Sequence, residues 1–442
     1  MDKLITVSIF LITYILIASE KVPRHIVALG GALILVTSGI VRLDEAMTYV
    51  SWETIGLLFG MFILIVVLAE AGFFNWLALE VAERVRYDLK KIFILFPLLA
   101  GLLSTFMDSI TVLLFLATLT YYVARTFKID PVPLVIAEVC AANTGGAATL
   151  VGDPPNVILG TMLGFGFNDF VRNTGPISLI SMLVIIGYAF WQNRKMLNQA
   201  PKVTKELLEK EGLKKEIKSE KLLWYGLGGM AVAVFLLVTH RELSELLHVD
   251  ITAASASLFP ALFVLAMVGR EAEELLKASG GETNLLKKID SESLLFFIGL
   301  FIVVGGLEKT GVIDLMAKGM VGAAGGNHVA LLLILLWVGG ITSAVVDNVP
   351  LALTMAYVLK DIDKMGTGPA LGLMVWALSL GVDMGGNGTP VGASANVVAY
   401  STMERHGLKI GWPRWMKLAI PPTFLAMLVS SVLIALKYYY HF

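Results

Sequence analysis

The sequence predicts an all-α polytopic membrane protein made of two inverted repeats, each with five spans and one re-entrant hairpin. Three observations predict it. The 442-residue chain is 57% hydrophobic and only 16% charged, with a mean hydropathy of +0.78. A soluble domain carries about a quarter charged residues. Apolar runs such as 4–19 and 57–69 recur along the whole length, and a spanning helix needs roughly 20 mainly apolar residues. The second half also repeats the first at a nearly constant offset.

Apolar blocks place spans near 4–19, 25–41, 54–70, 133–160 and 177–191, then near 222–239, 251–268, 293–308, 370–402 and 415–438. The first has no small-residue cleavage site and is expected to stay in the protein as a helix. Residues 92–124 form a stretch of 33 residues without a basic side chain. As one helix it would run roughly 50 Å, against a hydrocarbon core of about 30 Å. Its middle reads STFMDS (104–109), and basic residues flank both ends. A hairpin that enters and leaves on one side explains this, provided protein or a wet cavity covers its polar tip. Residues 328–359 repeat the pattern around VVDNVP (345–350).

Orientation follows the basic loops. The segment 192–221 holds nine Lys and Arg residues and reads as a cytoplasmic linker between repeats 1–191 and 222–442. Threading from it places both termini outside, in a plasma (inner) membrane. The first hairpin then enters from the cytoplasm and the second from outside.

The repeat shows in register. At an offset of 239, Glu53 falls on Glu292, Gly72 on Gly311 and Asp108 on Asp347. At 240, NTGGAATLVGDPPN (143–156) falls on DMGGNGTPVGASAN (383–396), so Gly145, Gly146, Thr149, Gly152 and Asn156 meet Gly385, Gly386, Thr389, Gly392 and Asn396. An odd number of crossings turns the second copy upside down. Paired interrupted helices in inverted repeats are the architecture of secondary transporters, with the site near mid-depth at the repeat junction. Glycines and prolines there unwind the spans 133–160 and 370–402, freeing backbone groups and helix ends to contact a solute.

Asp108, Glu138, Asp153, Asp347 and Asp383 lie in these repeat cores, and no Lys or Arg occurs in 92–124, 129–171, 329–359 or 365–404. A charged side chain at the bilayer centre costs at least ~2.5–3.5 kcal/mol, so such acids are functional candidates. Acids without basic partners take up protons or bind a cation through oxygen. The candidate substrate- and ion-binding set is Asp108, Ser109, Asn143, Thr144, Gly145, Gly146, Thr149, Asp347, Asn348, Asp383, Gly385, Gly386, Asn387 and Thr389. Asp153, Asn156 and Asn396 are structural or site residues. Asp153 is also placed to cap the helix that starts at Pro154 and Pro155, and its repeat partner is Ala393. One cysteine, Cys140, gives neither a disulfide framework nor a cysteine metal site. A net charge of −1 gives no basic surface for nucleic acid.

The segments 141–160 and SAVVDNVP (343–350) resemble the ion transporter superfamily, in particular its branch of arsenical pump membrane proteins and P permeases. The resemblance covers nearly the whole chain. It implies an elevator-type fold in which each repeat holds a hairpin and a broken helix. Related dicarboxylate/sodium symporters carry Ser-Asn-Thr at each hairpin tip, where this chain has Met107-Asp108-Ser109 and Val346-Asp347-Asn348. The two added acids weigh against a dicarboxylate. A neutral trihydroxide suits a site without arginine.

The expectation is therefore a secondary active transporter that extrudes arsenite or antimonite in exchange for protons, with Asp108 and Asp347 as proton carriers. The alternatives are a sodium/proton antiporter, a cation-coupled carboxylate transporter of the same superfamily and, further off, a passive channel. The expected partners are a small inorganic or ionic solute and membrane lipid, with an ATPase subunit if the chain is an arsenical pump; an oligomer is compatible with the sequence. No cofactor is expected beyond coupling H⁺ or Na⁺, and no metal site. Enzyme activity is not expected, because neither Asp108 nor Asp347 sits in a Gly-x-Gly-Asp stretch of an intramembrane protease, and no phosphate-binding Gly-x-x-x-x-Gly-Lys motif occurs.

Overall fold

The computed structural model describes residues 2–19, 21–199, 201, 215–278 and 285–440. Among these, the chain forms 20 α-helices and no strand, and eight helices are long and apolar enough to cross a membrane. The first half contains α1 (Asp2–Ser19), α2 (Arg24–Thr37), the short α3 (Leu43–Tyr49), α4 (Trp52–Glu70) and α5 (Phe73–Arg84). It continues with α6 (Leu89–Leu103), α7 (Ser109–Thr126), α8 (Val132–Gly146), α9 (Pro154–Leu163), the short α10 (Phe167–Asn173) and α11 (Gly175–Gln199). The second half contains α12 (Glu220–Leu247), α13 (Ala253–Ala278), α14 (Ser291–Lys309), α15 (Val312–Ala324) and α16 (His328–Ser343). It ends with α17 (Asn348–Met365), α18 (Leu371–Gly385), α19 (Ser394–Arg405) and α20 (Trp412–Tyr440). The basic linker expected over 192–221 lies outside the described residues from 202 to 214; its two ends continue α11 and begin α12.

Local chemistry sets matching breaks in both halves. Gly72 and Gly311 adopt φ of 82° and 69° directly after α4 and α14, a left-handed conformation that glycine takes without steric cost. Asp108 and Asp347 cap the helices that leave the two hairpin tips, accepting from the amides of Thr111 and Val349. Such a cap satisfies a helix-end amide that has no partner within the helix. The expected breaks in 133–160 and 370–402 fall between α8 and α9 and between α18 and α19.

Packing is reciprocal. The first hairpin arm α6 lies on α8, and its counterpart α16 lies on α18. The second arms cross over, so that α7 packs on α19 and α17 on α9. Outside this core, α4 leaves its own half to pack on α12 and α13, while α14 packs on α1 and α2. Small residues allow the closest approaches. A Cβ on Gly145 would stand 2.2 Å from the Gly101 carbonyl oxygen, and one on Gly385 would stand 2.2 Å from Gly340.

Candidate functional site

Two hairpin tips and two unwound loops converge in the interior. Each loop is held by one asparagine in the same way. The Asn156 amide donates to the carbonyls of Gly146 and Thr149, both at 3.0 Å, and the Asn396 amide donates to those of Gly386 at 2.8 Å and Thr389 at 2.7 Å. The hydroxyls of Thr149 and Thr389 donate to the hairpin carbonyls of Thr105 and Ala344, each at 2.5 Å. These bonds supply buried carbonyls that the broken helices leave open.

Charge breaks the match between the halves. The Asp153 carboxylate accepts from Ser109 Oγ on the first hairpin at 3.2 Å and from Asn348 Nδ2 on the second at 3.0 Å. It therefore ties both hairpin tips to the first loop. Asp153 sits at the N-cap position of α9 without a side-chain cap bond, so the capping role considered for it gives way to contacts with the hairpins. On the other side, Asp347 accepts from Ser394 Oγ at 3.1 Å. Arg24 donates to Ser394 Oγ at 2.5 Å and to Ser293 Oγ at 2.7 Å, and its Nη1 stands 3.9 Å from Asp347 Oδ2. Its guanidinium also lies 5.2 Å from the centre of the Phe296 ring.

Arg24, Asp108, Ser109, Asp153, Asn348 and Ser394 line one cavity of about 10 Å³, close to the least that holds one water. It is flanked by a cavity of about 560 Å³ lined by Glu70, Asp108, Thr111, Lys218, Lys288 and Asp290. A second, of about 270 Å³, is lined by Val22, Arg24, Asp347 and Ser394.

Beneath the tips lies a buried amide layer. Asn143 Nδ2 donates to Asn387 Oδ1 and to Asn396 Oδ1, both at 2.9 Å. Asp383 is fully buried and faces Asp153 and Asn156. Thr144 presents its carbonyl to Ser178 Oγ at 2.5 Å, and its own hydroxyl is buried without a partner among the described residues. Thus Asp108, Ser109, Asp153 and Asn348 share one cavity, Asp347 lines the adjoining one with Arg24 and Ser394, and Asn143, Asn156, Asp383, Asn387 and Asn396 form the buried layer next to them. Thr149 and Thr389 fasten loops to hairpins, and Gly145, Gly146, Gly385 and Gly386 form close backbone crossings. Glu138, set aside on sequence grounds, is buried in α8 and accepts from Thr120 Oγ1 at 2.5 Å.

The sequence reading treated the site as free of arginine. The structure corrects this, because Arg24 lines it. Arg24 was missed because it borders an apolar block and so reads as an interfacial residue. No signal in the sequence marked it: the apolar block reads as a span over 25–41, and only the structure shortens α2 to Arg24–Thr37.

A profile described as citrate transporter (CitMHS) matches residues 14–381. The chain belongs to the citrate transporter family. An uncharacterized transporter of Mycobacterium tuberculosis is 33% identical over 444 residues, covering 99% of each chain. The human P protein is 27% identical over 496 residues, covering 96% of this chain and 58% of that protein. Family membership makes this a multi-pass membrane transporter, and the P proteins fit the resemblance drawn from the broken-helix motifs. Two solved structures share the fold. MtrF of Neisseria gonorrhoeae, described among antimetabolite efflux pumps, has a TM-score of 0.63 at 12% identity, over 98% of this chain and 94% of that one. The YdaH transporter of Alcanivorax borkumensis has a TM-score of 0.63 at 14% identity, over 100% and 99%.

Proposed function

We propose that this family member is a secondary active transporter that moves a small carboxylate together with a proton or cation. The observation that carries this reading is Arg24, a guanidinium beside two serines and an asparagine in a cavity between the hairpin tips. Arginine presents several donors in a planar fork that matches a carboxylate. Asp108, Asp153 and Asp347 surround it, so the site carries more negative than positive charge. An anion enters such a site together with compensating positive charge, which makes coupling part of binding. The family's name, citrate transporter, points to the same substrate class.

In this reading, the hairpins and broken helices move against α1, α2 and α14 on one side and α4, α12 and α13 on the other. The two halves are inverted copies, and the crossed packing of α7 on α19 and α17 on α9 supports such a paired body. Arg24 belongs to the static part and touches the moving part at Ser394 and Asp347. The arsenite expectation depended on an arginine-free site, and Arg24 removes that support.

The test is uptake of labelled citrate in proteoliposomes under imposed pH and Na⁺ gradients, with arsenite and Na⁺-driven pH change measured in parallel. Citrate uptake should accelerate with an inward proton or Na⁺ gradient. Arg24→Ala should lower kcat/KM for citrate about 10-fold or more, as for loss of a charge-assisted hydrogen bond to a carboxylate. Arsenite flux or Na⁺/H⁺ exchange without any carboxylate flux overturns the proposal.

A further inference from the structure

We propose that Asp153 and Asp383 form a carboxyl pair that shares one proton, and that this is the ion moved with the carboxylate. The second half of the statement rests on the transport reading above. Asp153 comes from the loop between α8 and α9 and Asp383 from α18, so each half of the chain supplies one member. Their exposures are 3% and 0%. Asp383 lies one helical turn after Ser379, whose hydroxyl donates at 2.6 Å to Asn156, three residues from Asp153, and the two carboxyl groups act directly on one another. Two carboxylates in contact away from water cannot both hold a negative charge without a compensating ion, and one shared proton relieves the repulsion.

Counting donor hydrogens around the pair leads to the same place. Ser109 and Asn348 give theirs to Asp153. Ser379 donates to Asn156 Oδ1 at 2.6 Å, and the Asn156 amide serves the carbonyls of Gly146 and Thr149. Neither oxygen of Asp383 has a hydrogen-bond partner among the described residues. A buried carboxylate left in that state is costly. A proton shared between Asp383 and Asp153 supplies the missing hydrogen.

The other charged groups are placed to modulate this proton. Asp108 and Asp347, at the two hairpin tips, lie near enough to act on Asp153 through their charge. Arg24 lines the cavity it shares with Asp153, stands 3.9 Å from Asp347 and directs its hydrogens to Ser293 and Ser394. Glu138, on α8, is held by Thr120. Release of the proton is therefore tied to the contacts of Asp153 with both hairpins, the elements that close over the site.

The matching place in the other half holds no such pair. The counterparts of Asp153 and Asp383 are Ala393 and Asn143, and Asn143 donates to Asn387 and Asn396. A single acidic pair gives a single proton per transport cycle from this site.

The test needs no substrate for its first part. Infrared difference spectra of purified protein at neutral pH, wild type minus Asp383→Asn and wild type minus Asp153→Asn, should both show a protonated-carboxyl stretch that shifts in D₂O. Asp383→Glu should restore the band, which separates loss of the carboxyl from loss of the fold. No such band in either difference spectrum overturns the proposal, as does a band that vanishes on adding Na⁺ at constant pH. In proteoliposomes, Asp383→Asn should lose the component of citrate uptake driven by a pH gradient, measured relative to citrate counterflow. An unchanged pH-gradient component in that variant sinks the coupling role. A wild type that shows the band but moves no carboxylate sinks the transport reading and leaves the shared proton standing.

Discussion

The loop between α8 and α9 and the loop between α18 and α19 are nearly the same object with different chemistry. Each is held by an asparagine donating to two loop carbonyls, and each is tied by a threonine to a hairpin carbonyl. Each crosses its hairpin at a glycine pressed against another glycine. Yet one loop ends in Asp153 and the other in Ala393, and the arginine that reaches the site stands only beside the second. The duplicated part is the scaffold that keeps irregular backbone satisfied inside a membrane. The part that differs is charge, and the proposed substrate binding and ion coupling rest on that difference.

That comparison is open to attack at several points. The largest effect belongs to the glycine crossings. Gly145→Ala and Gly385→Ala each place a methyl carbon 2.2 Å from backbone atoms, where no side chain can move aside. Each should destabilise the protein by about 3 kcal/mol or more, read as a lower melting temperature in detergent, and the two losses should be alike. A mild effect at one site alone would mean that the loops are not held equivalently.

Next come the asparagines. Asn156→Ala and Asn396→Ala each leave two buried carbonyls without their donor, at a cost of about 2–3 kcal/mol. The melting shifts should agree with one another, while citrate uptake should suffer more for Asn156, which stands beside Asp383 and Asp153. Equal transport defects would argue against the charge asymmetry.

The smallest effect concerns the second arms of the hairpins. On α17, Pro350 and Thr354 are covered by Tyr14, whose hydroxyl donates to the Pro350 carbonyl at 2.7 Å and lies 3.1 Å from Thr354 Oγ1. The matching face of α7, at Thr111 and Phe115, lines the cavity of about 560 Å³ instead. Tyr14→Phe should cost about 1 kcal/mol and increase cysteine labelling of Thr354→Cys more than that of Thr111→Cys. Equal labelling changes would show that Tyr14 does not distinguish the two sides.

Much of this arrangement was legible before any coordinates. Spans, hairpin tips and broken helices each leave a local mark, because lipid demands long apolar runs and polar interruptions need a reason. The register of the repeat located Asp108 with Asp347 and Asn156 with Asn396. What escaped was contact between distant segments. Arg24 is 370 positions from Ser394, and nothing near Arg24 announces where its side chain reaches. Asp153 stayed undecided between cap and site for a related reason: Asp-Pro-Pro has a good local explanation as a helix start, and only the fold brings Ser109 and Asn348 to its oxygens. The exchange of α4 and α14 between halves left no trace either, since a uniformly apolar helix gives no hint of which neighbour it prefers.

That exchange has a consequence for biogenesis. When α4 leaves the ribosome, the helices it will rest against have not been made, and at about 5–20 residues per second α13 follows roughly 10–40 s later. Through that interval the first half inserts with one flank facing lipid or an insertion chaperone in place of its proper neighbours. A fragment ending at the linker would stay in that unfinished condition and be a substrate for membrane quality control, whereas two separately expressed halves could complete one another.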